Sequence, residues 1–159
     1  MNDYGLDIAV IGNGRTAALV DPEARILWWC LPRYDGDPVF SRLLAGDEEK
    51  GFTDVVLDGM VKTTSDYLRN TATVVTDCVD GNGSRIRVTD FAPRFQSYGR
   101  TFRPPQLVRI IEPVAGMPRI TIRCRVTHRY GEPVTTRTFG SNHIRFIRDD
   151  VSVRLTTDA

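Results

Sequence analysis

Residues 12–44, GNGRTAALVDPEARILWWCLPRYDGDPVFSRLL, decide the fold. Two short apolar runs, 16–20 and 25–31, flank Asp21-Pro22-Glu23. Aspartate at the first position of a tight turn and proline at the second make this a turn, and two strands so joined make a β-hairpin. Upstream, the apolar run 6–11 is closed by Gly12-Asn13-Gly14, again a turn signal. Gly12, Gly14 and Ala17, with Asp35 about 20 residues further on, match the outline of a dinucleotide fingerprint. That fingerprint needs a crossover helix, and such a connection takes about a dozen residues or more. Here only Arg15 to Val20 precede the break at Asp21-Pro22, and no later helix–strand alternation builds a parallel sheet. The glycines are therefore turn residues, and no cofactor is expected.

Trp28 and Trp29 are neighbours on a strand, so their rings point to opposite faces. One belongs to the core. The other is exposed or packs on a partner, where it could stack on a sugar. Pro32-Arg33-Tyr34-Asp35-Gly36 follows as a loop, and loops held by a rigid sheet commonly carry function. Arg33 and Asp35 are expected first of all to form a local ion pair that braces this loop. Asp37 is then expected to cap a short helix near 38–45, with Pro38 at its first position, Phe40, Leu43 and Leu44 on one face, and Gly46 at its end.

Beyond residue 51 the pattern is strand after strand. Segments 52–57, 62–67, 71–79, 85–91, 106–113, 119–127, 143–148 and 151–156 read as strands, and 92–105 as a polar, aromatic loop. Asp80-Gly81-Asn82-Gly83 is a turn. About ten short strands with one helical turn make an all-β protein, an antiparallel β-sandwich or barrel. Arginine on one face and Ile, Val, Phe or Cys on the other is the signature of half-buried antiparallel sheet.

The bulk numbers agree. The chain of 159 residues is 41% hydrophobic and 26% charged, which is globular composition and fits one domain. A net charge of +1 gives no global attraction to nucleic acid or to anionic lipid. Nearly all positive charge is arginine, with lysine only at Lys50 and Lys62. The guanidinium fork suits carboxylates and packed surfaces, although a coding bias gives the same ratio. Cys30, Cys78 and Cys124 are far apart with no C-x-x-C pair, so they read as small hydrophobes and not as a zinc site. His128 and His143 are isolated, which favours structural or surface roles over metal binding or catalysis. No apolar run approaches the roughly 20 residues that span a bilayer. The start, MNDYGLDIAVI, lacks the features of a signal peptide, so a cytoplasmic location is expected. The last residues, LTTDA, follow a hairpin without a distinct terminator, and the chain is expected to be a fragment of something longer.

Three segments carry a resemblance. Asp3-Tyr4-Gly5 with Ile11 to Val20, Trp28 to Phe40, and Arg87-Val88-Thr89-Asp90-Phe91-Ala92-Pro93-Arg94 occur in this order. Gln106-Leu107-Val108-Arg109-Ile110 follows. Together they resemble the opening of bacterial family 15 glycoside hydrolases, the glucoamylase, glucodextranase and trehalase-like enzymes. Tyr34 and Gly36-Asp37-Pro38 depart from the family's Phe and Ser-Pro-Ser. The resemblance implies that 1–159 is an N-terminal β-sandwich domain without catalytic residues. In that family the chemistry belongs to a following (α/α)6 barrel, where one glutamate acts as general acid and another activates water, with inversion. It further implies a domain that packs on this barrel and shapes the rim of an α-glucoside pocket through Trp29, Arg33, Tyr34 and Asp35. A self-standing carbohydrate-binding module is the alternative. Cut from its barrel, such a domain exposes an apolar docking face and is expected to self-associate as a homo-oligomer.

Overall fold

The computed structural model describes residues 7–44 and 49–158, and all their regular structure is β-strand. The hairpin around Asp21 forms as the turn chemistry requires. β1 (Ala9–Gly12), β2 (Ala17–Val20) and β3 (Ile26–Cys30) run antiparallel, with Gly12 opposite Ala17 and Leu19 opposite Trp28. The Asp21 carboxylate accepts the backbone N–H groups of Glu23 and Arg25, both at 2.9 Å. β4 (Pro38–Ser41) pairs with β3, and β5 (Phe52–Leu57) joins the same sheet.

The chain then crosses to a second sheet made of β6 (Met60–Tyr67), β7 (Val74–Asp80) and β8 (Arg85–Phe91). A small hairpin, β9 (Phe95–Ser97) and β10 (Arg100–Phe102), intervenes before β11 (Val108–Ala115) closes that sheet beside β8. β12 (Ile120–Arg125) returns to the first sheet against β5. Two short strands, β13 (Thr127–His128) and β14 (Glu132–Pro133), pair with each other. β15 (Arg137–Phe139), β16 (His143–Phe146) and β17 (Val153–Thr156) make a final three-stranded sheet.

The two larger sheets face each other as a sandwich. Val55 and Leu57 of β5 pack with Cys78 of β7 and Ile86 and Val88 of β8. Ile11, Ala18, Val20, Trp29 and Phe40 form a second cluster with Val74, Val126 and Phe146. The period-two pattern of β8 is realised: Ile86, Val88 and Asp90 point inward while Arg85 and Arg87 face solvent. Each aliphatic or aromatic side chain so buried contributes about 1.5–3 kcal/mol.

The arginines have structural work. Asp54, 2% exposed, is bracketed by Arg25 at 3.0 Å and Arg123 at 2.9 Å. Both guanidiniums lie 5.1 Å from the centre of the Phe52 ring. Asp90, 1% exposed, takes both arms of Arg109, which also donates to the Ala24 carbonyl at 2.6 Å. A planar fork satisfies a buried carboxylate in a way that lysine does not.

One expectation is corrected. Residues 38–41 are strand and 42–44 a turn, and no helix occurs among the described residues. Three apolar positions at helical spacing cannot offset the cost of nucleating so short a helix. The open edge of β3 offers ladder hydrogen bonds instead, with Trp29 opposite Phe40 and Trp28 opposite Ser41. Val39 and Phe40 are buried, whereas Leu43 and Leu44 are exposed. Gly46, the expected helix end, and Asp3-Tyr4-Gly5 lie outside the described residues.

Candidate functional site

The loop after β3 is tightly built. Leu31 is buried, the Leu31–Pro32 peptide is cis, and the Gly36 N–H donates to the Arg33 carbonyl at 3.0 Å. A Cβ on Gly36 would sit 2.2 Å from the Leu31 carbonyl oxygen, so only glycine fits this turn. The turn pushes Arg33, Tyr34 and Asp35 outward together. The expected ion pair forms, Arg33 Nη2 to Asp35 Oδ2 at 3.0 Å, with both side chains more than 70% exposed. Tyr34 is 58% exposed beside it.

Trp29 is placed elsewhere. It is 6% exposed, tilted against Phe40 with ring centres 6.0 Å apart, and its indole N–H donates to Thr16 Oγ1 at 2.7 Å. Trp29 is the core member of the tryptophan pair and supports the loop from beneath; Trp28 is the partly exposed one. Adjacent strand positions show that the rings oppose each other, but not which sheet face meets the core.

Asp37 carries the part that sequence reasoning missed. Instead of capping a helix, its carboxylate accepts the N–H groups of Arg129 at 2.6 Å and Tyr130 at 2.8 Å, and Arg148 Nη2 at 2.7 Å. Partial burial pushes the Asp37 carboxyl up, yet the Tyr130 N–H, the Arg148 guanidinium and the Arg129 N–H outweigh it and hold it below the usual carboxylate range. The Arg148 side chain is fully buried, and it also donates to the Asp37 carbonyl at 2.9 Å. This carboxylate thus ties the 31–37 loop to two later turns, 129–131 and 148–150. Arg129 in turn donates to Asp149 at 2.7 Å, and His128 lies 3.7 Å from the same carboxylate and 3.9 Å from Glu132.

The result is one loop cluster with Arg33, Tyr34, Asp35, Arg129, Tyr130 and Asp149 at its surface. Charged forks and two exposed tyrosines suit hydrogen bonding and stacking against a polyhydroxyl ligand or another domain's surface. His143 stands apart, with Nδ1 3.3 Å from Asn142 Oδ1. No group of three or more His, Cys, Asp or Glu side chains among the described residues is placed to hold a metal ion.

Comparison with known proteins decides the family. Residues 7–140 match the model of the trehalase-like N-terminal family. The chain belongs to that family. A trehalase from Thermoplasma volcanium is 34% identical over 131 residues, which cover 77% of this chain and 19% of the relative. The chain therefore spans about a fifth of that relative's length. No solved structure matches this chain.

Proposed function

We propose that this chain is the non-catalytic N-terminal domain, residues 1–159, of an inverting α-glycosidase of the glucoamylase and trehalase type. It packs on the catalytic (α/α)6 barrel of the same cytoplasmic protein. Arg33, Tyr34 and Asp35 meet the rim of the α-glucoside pocket, with Trp29 fixing their loop from below. The observation that carries this reading is the family match together with a loop that the fold spends buried groups to position. Asp37, Gly36 and Trp29 all serve to present three side chains that contribute nothing to the core. Exposed Leu44, Tyr98, Tyr130 and Phe139 offer further apolar surface for a larger chain to cover.

Kinetics and stability measured together test the proposal. In the full-length protein, Arg33→Ala is expected to raise KM or lower kcat for trehalose while shifting Tm by only a few degrees. An exposed pair is worth less than about 1 kcal/mol. Unchanged kinetics with unchanged Tm would show that the loop faces no pocket. The 159-residue chain is expected to release no glucose from trehalose or maltodextrin. Calorimetric titration with trehalose and maltose separates the alternative, since sub-millimolar binding by this chain alone would make it a self-standing carbohydrate-binding module.

A further inference from the structure

The feet of the β9–β10 hairpin hold an arrangement that folding does not require. Phe95 and Phe102 are partners in register, and their rings stack at 5.4 Å. The next residues outward, Arg94 and Arg103, therefore stand opposite each other across the hairpin. Among the described residues neither one makes a hydrogen bond or an ion pair, and both are exposed. Yet the two guanidiniums converge. Arg103 Nη1 lies 3.5 Å, and Arg94 Nη1 3.8 Å, from the place a Cβ on Gly14 would take.

Asn13 sets this convergence. It is 3% exposed, and its Nδ2 donates to the carbonyls of Pro93 at 3.0 Å and Pro104 at 2.8 Å. These residues directly adjoin Arg94 and Arg103. Its Oδ1 accepts the N–H groups of Arg15 at 2.9 Å and Thr16 at 3.1 Å. A single buried amide thus pins the 12–16 turn to both feet of the hairpin and brings both cations over Gly14. Gly14, at φ 83°, has no side chain to fill the gap.

Like charges facing each other across paired strands are destabilising. Among the described residues, the groove beside Arg94, lined by residues 12–14, 70–73 and 91–95, carries no Asp or Glu to offset them. A fold that holds two uncompensated cations together at a cost has a use for them.

 The groove itself encloses about 730 Å³, room for a sugar phosphate.

We propose that Arg94 and Arg103, converging over Gly14, form a clamp for a phosphate-type oxyanion, either free phosphate or the phosphoryl group of a sugar phosphate. Two guanidinium forks on a tetrahedral oxyanion make charge-assisted hydrogen bonds of about 2.8 Å and cancel the repulsion between the two cations.

The test is thermal denaturation of the 159-residue chain at constant ionic strength, set with chloride. Sodium phosphate, glucose 6-phosphate and neutral glucose are titrated in turn. Phosphate is expected to raise Tm saturably, with half-saturation at about 1 mM or tighter. The rise reaches about 5–10 °C at a hundredfold excess over Kd, and glucose has no effect. Arg103→Glu turns the like-charge pair into an ion pair, so it is expected to raise Tm in chloride and to abolish the phosphate response. Arg103→Ala is expected to abolish the response without lowering Tm, and serves if the Glu variant folds poorly. Glucose 6-phosphate binding tenfold tighter than phosphate identifies the sugar phosphate; equal binding identifies the free ion; both support the clamp. A Tm insensitive to both phosphates, or a response that survives in both Arg103 variants, overturns it. So does a polyglutamate peptide that binds more tightly than either phosphate, which would assign the two arginines to a partner's carboxylates.

Discussion

Removing the Asp37 carboxylate is expected to be among the more damaging single changes at the loop cluster. In Asp37→Ala the Arg148 guanidinium stays buried and loses its 2.7 Å partner. Breaking a buried pair from one side costs about 3–5 kcal/mol. Two contacts remain to soften the loss, the Asp37 carbonyl at 2.9 Å and Asp150 at 3.4 Å. The Arg129 and Tyr130 N–H groups are at the surface, where water replaces the lost acceptor. The low end applies, about 3 kcal/mol, or a Tm lower by about 6–12 °C for a chain of this size. Urea denaturation checks it as a shift of midpoint at unchanged slope. Arg148→Met in the Asp37→Ala background removes the stranded charge and is expected to recover more than about 1 kcal/mol relative to additivity. The pH dependence has a definite sign. Asp37 is held below its ordinary value, so its contribution is complete above the unfolded carboxyl pKa of about 3.9 and disappears as pH falls through the lower folded value. The gap between wild type and Asp37→Ala should be flat from pH 5 to 8, by order of magnitude, and close in stronger acid. A loss under about 1 kcal/mol at neutral pH would refute the reasoning, because it would mean that Arg148 does not depend on this carboxylate.

Two further outcomes follow from the core. Trp29→Phe keeps the ring but strands Thr16 Oγ1, which is 1% exposed, and is expected to cost about 1–3 kcal/mol by urea denaturation, whereas Trp28→Phe costs less. Burial pushes the Cys124 thiol up to about 11 and raises Cys30 and Cys78 as well, so iodoacetamide at pH 8 should label the buried Cys30 and Cys78 and the partly buried Cys124 far more slowly in the folded chain than in urea. Rapid labelling without denaturant would contradict the burial.

What the sequence by itself determined was local. Turn chemistry at Asp21-Pro22 and Gly12-Asn13-Gly14 made the first hairpins legible, because aspartate, asparagine and glycine act through their own backbone neighbourhood. The alternation in 85–91 displayed a half-buried strand for the same reason: period two is a property of the strand itself. The resemblance carried by 11–20 and 28–40 pointed to trehalase-like proteins, whose N-terminal family residues 7–140 match. What only the tertiary structure decided was partnership. Residues 38–41 are strand because β3 had an open edge, which no local periodicity registers. The 92–105 stretch hides a hairpin held by stacked phenylalanines and by Asn13, 80 or more residues away in sequence. Asp37 finds Arg148 across 111 residues, so its carboxylate reads as a helix cap in sequence and becomes a clamp in space. Long-range pairing depends on which groups the fold leaves unsatisfied, and that is known only once every other strand is in place.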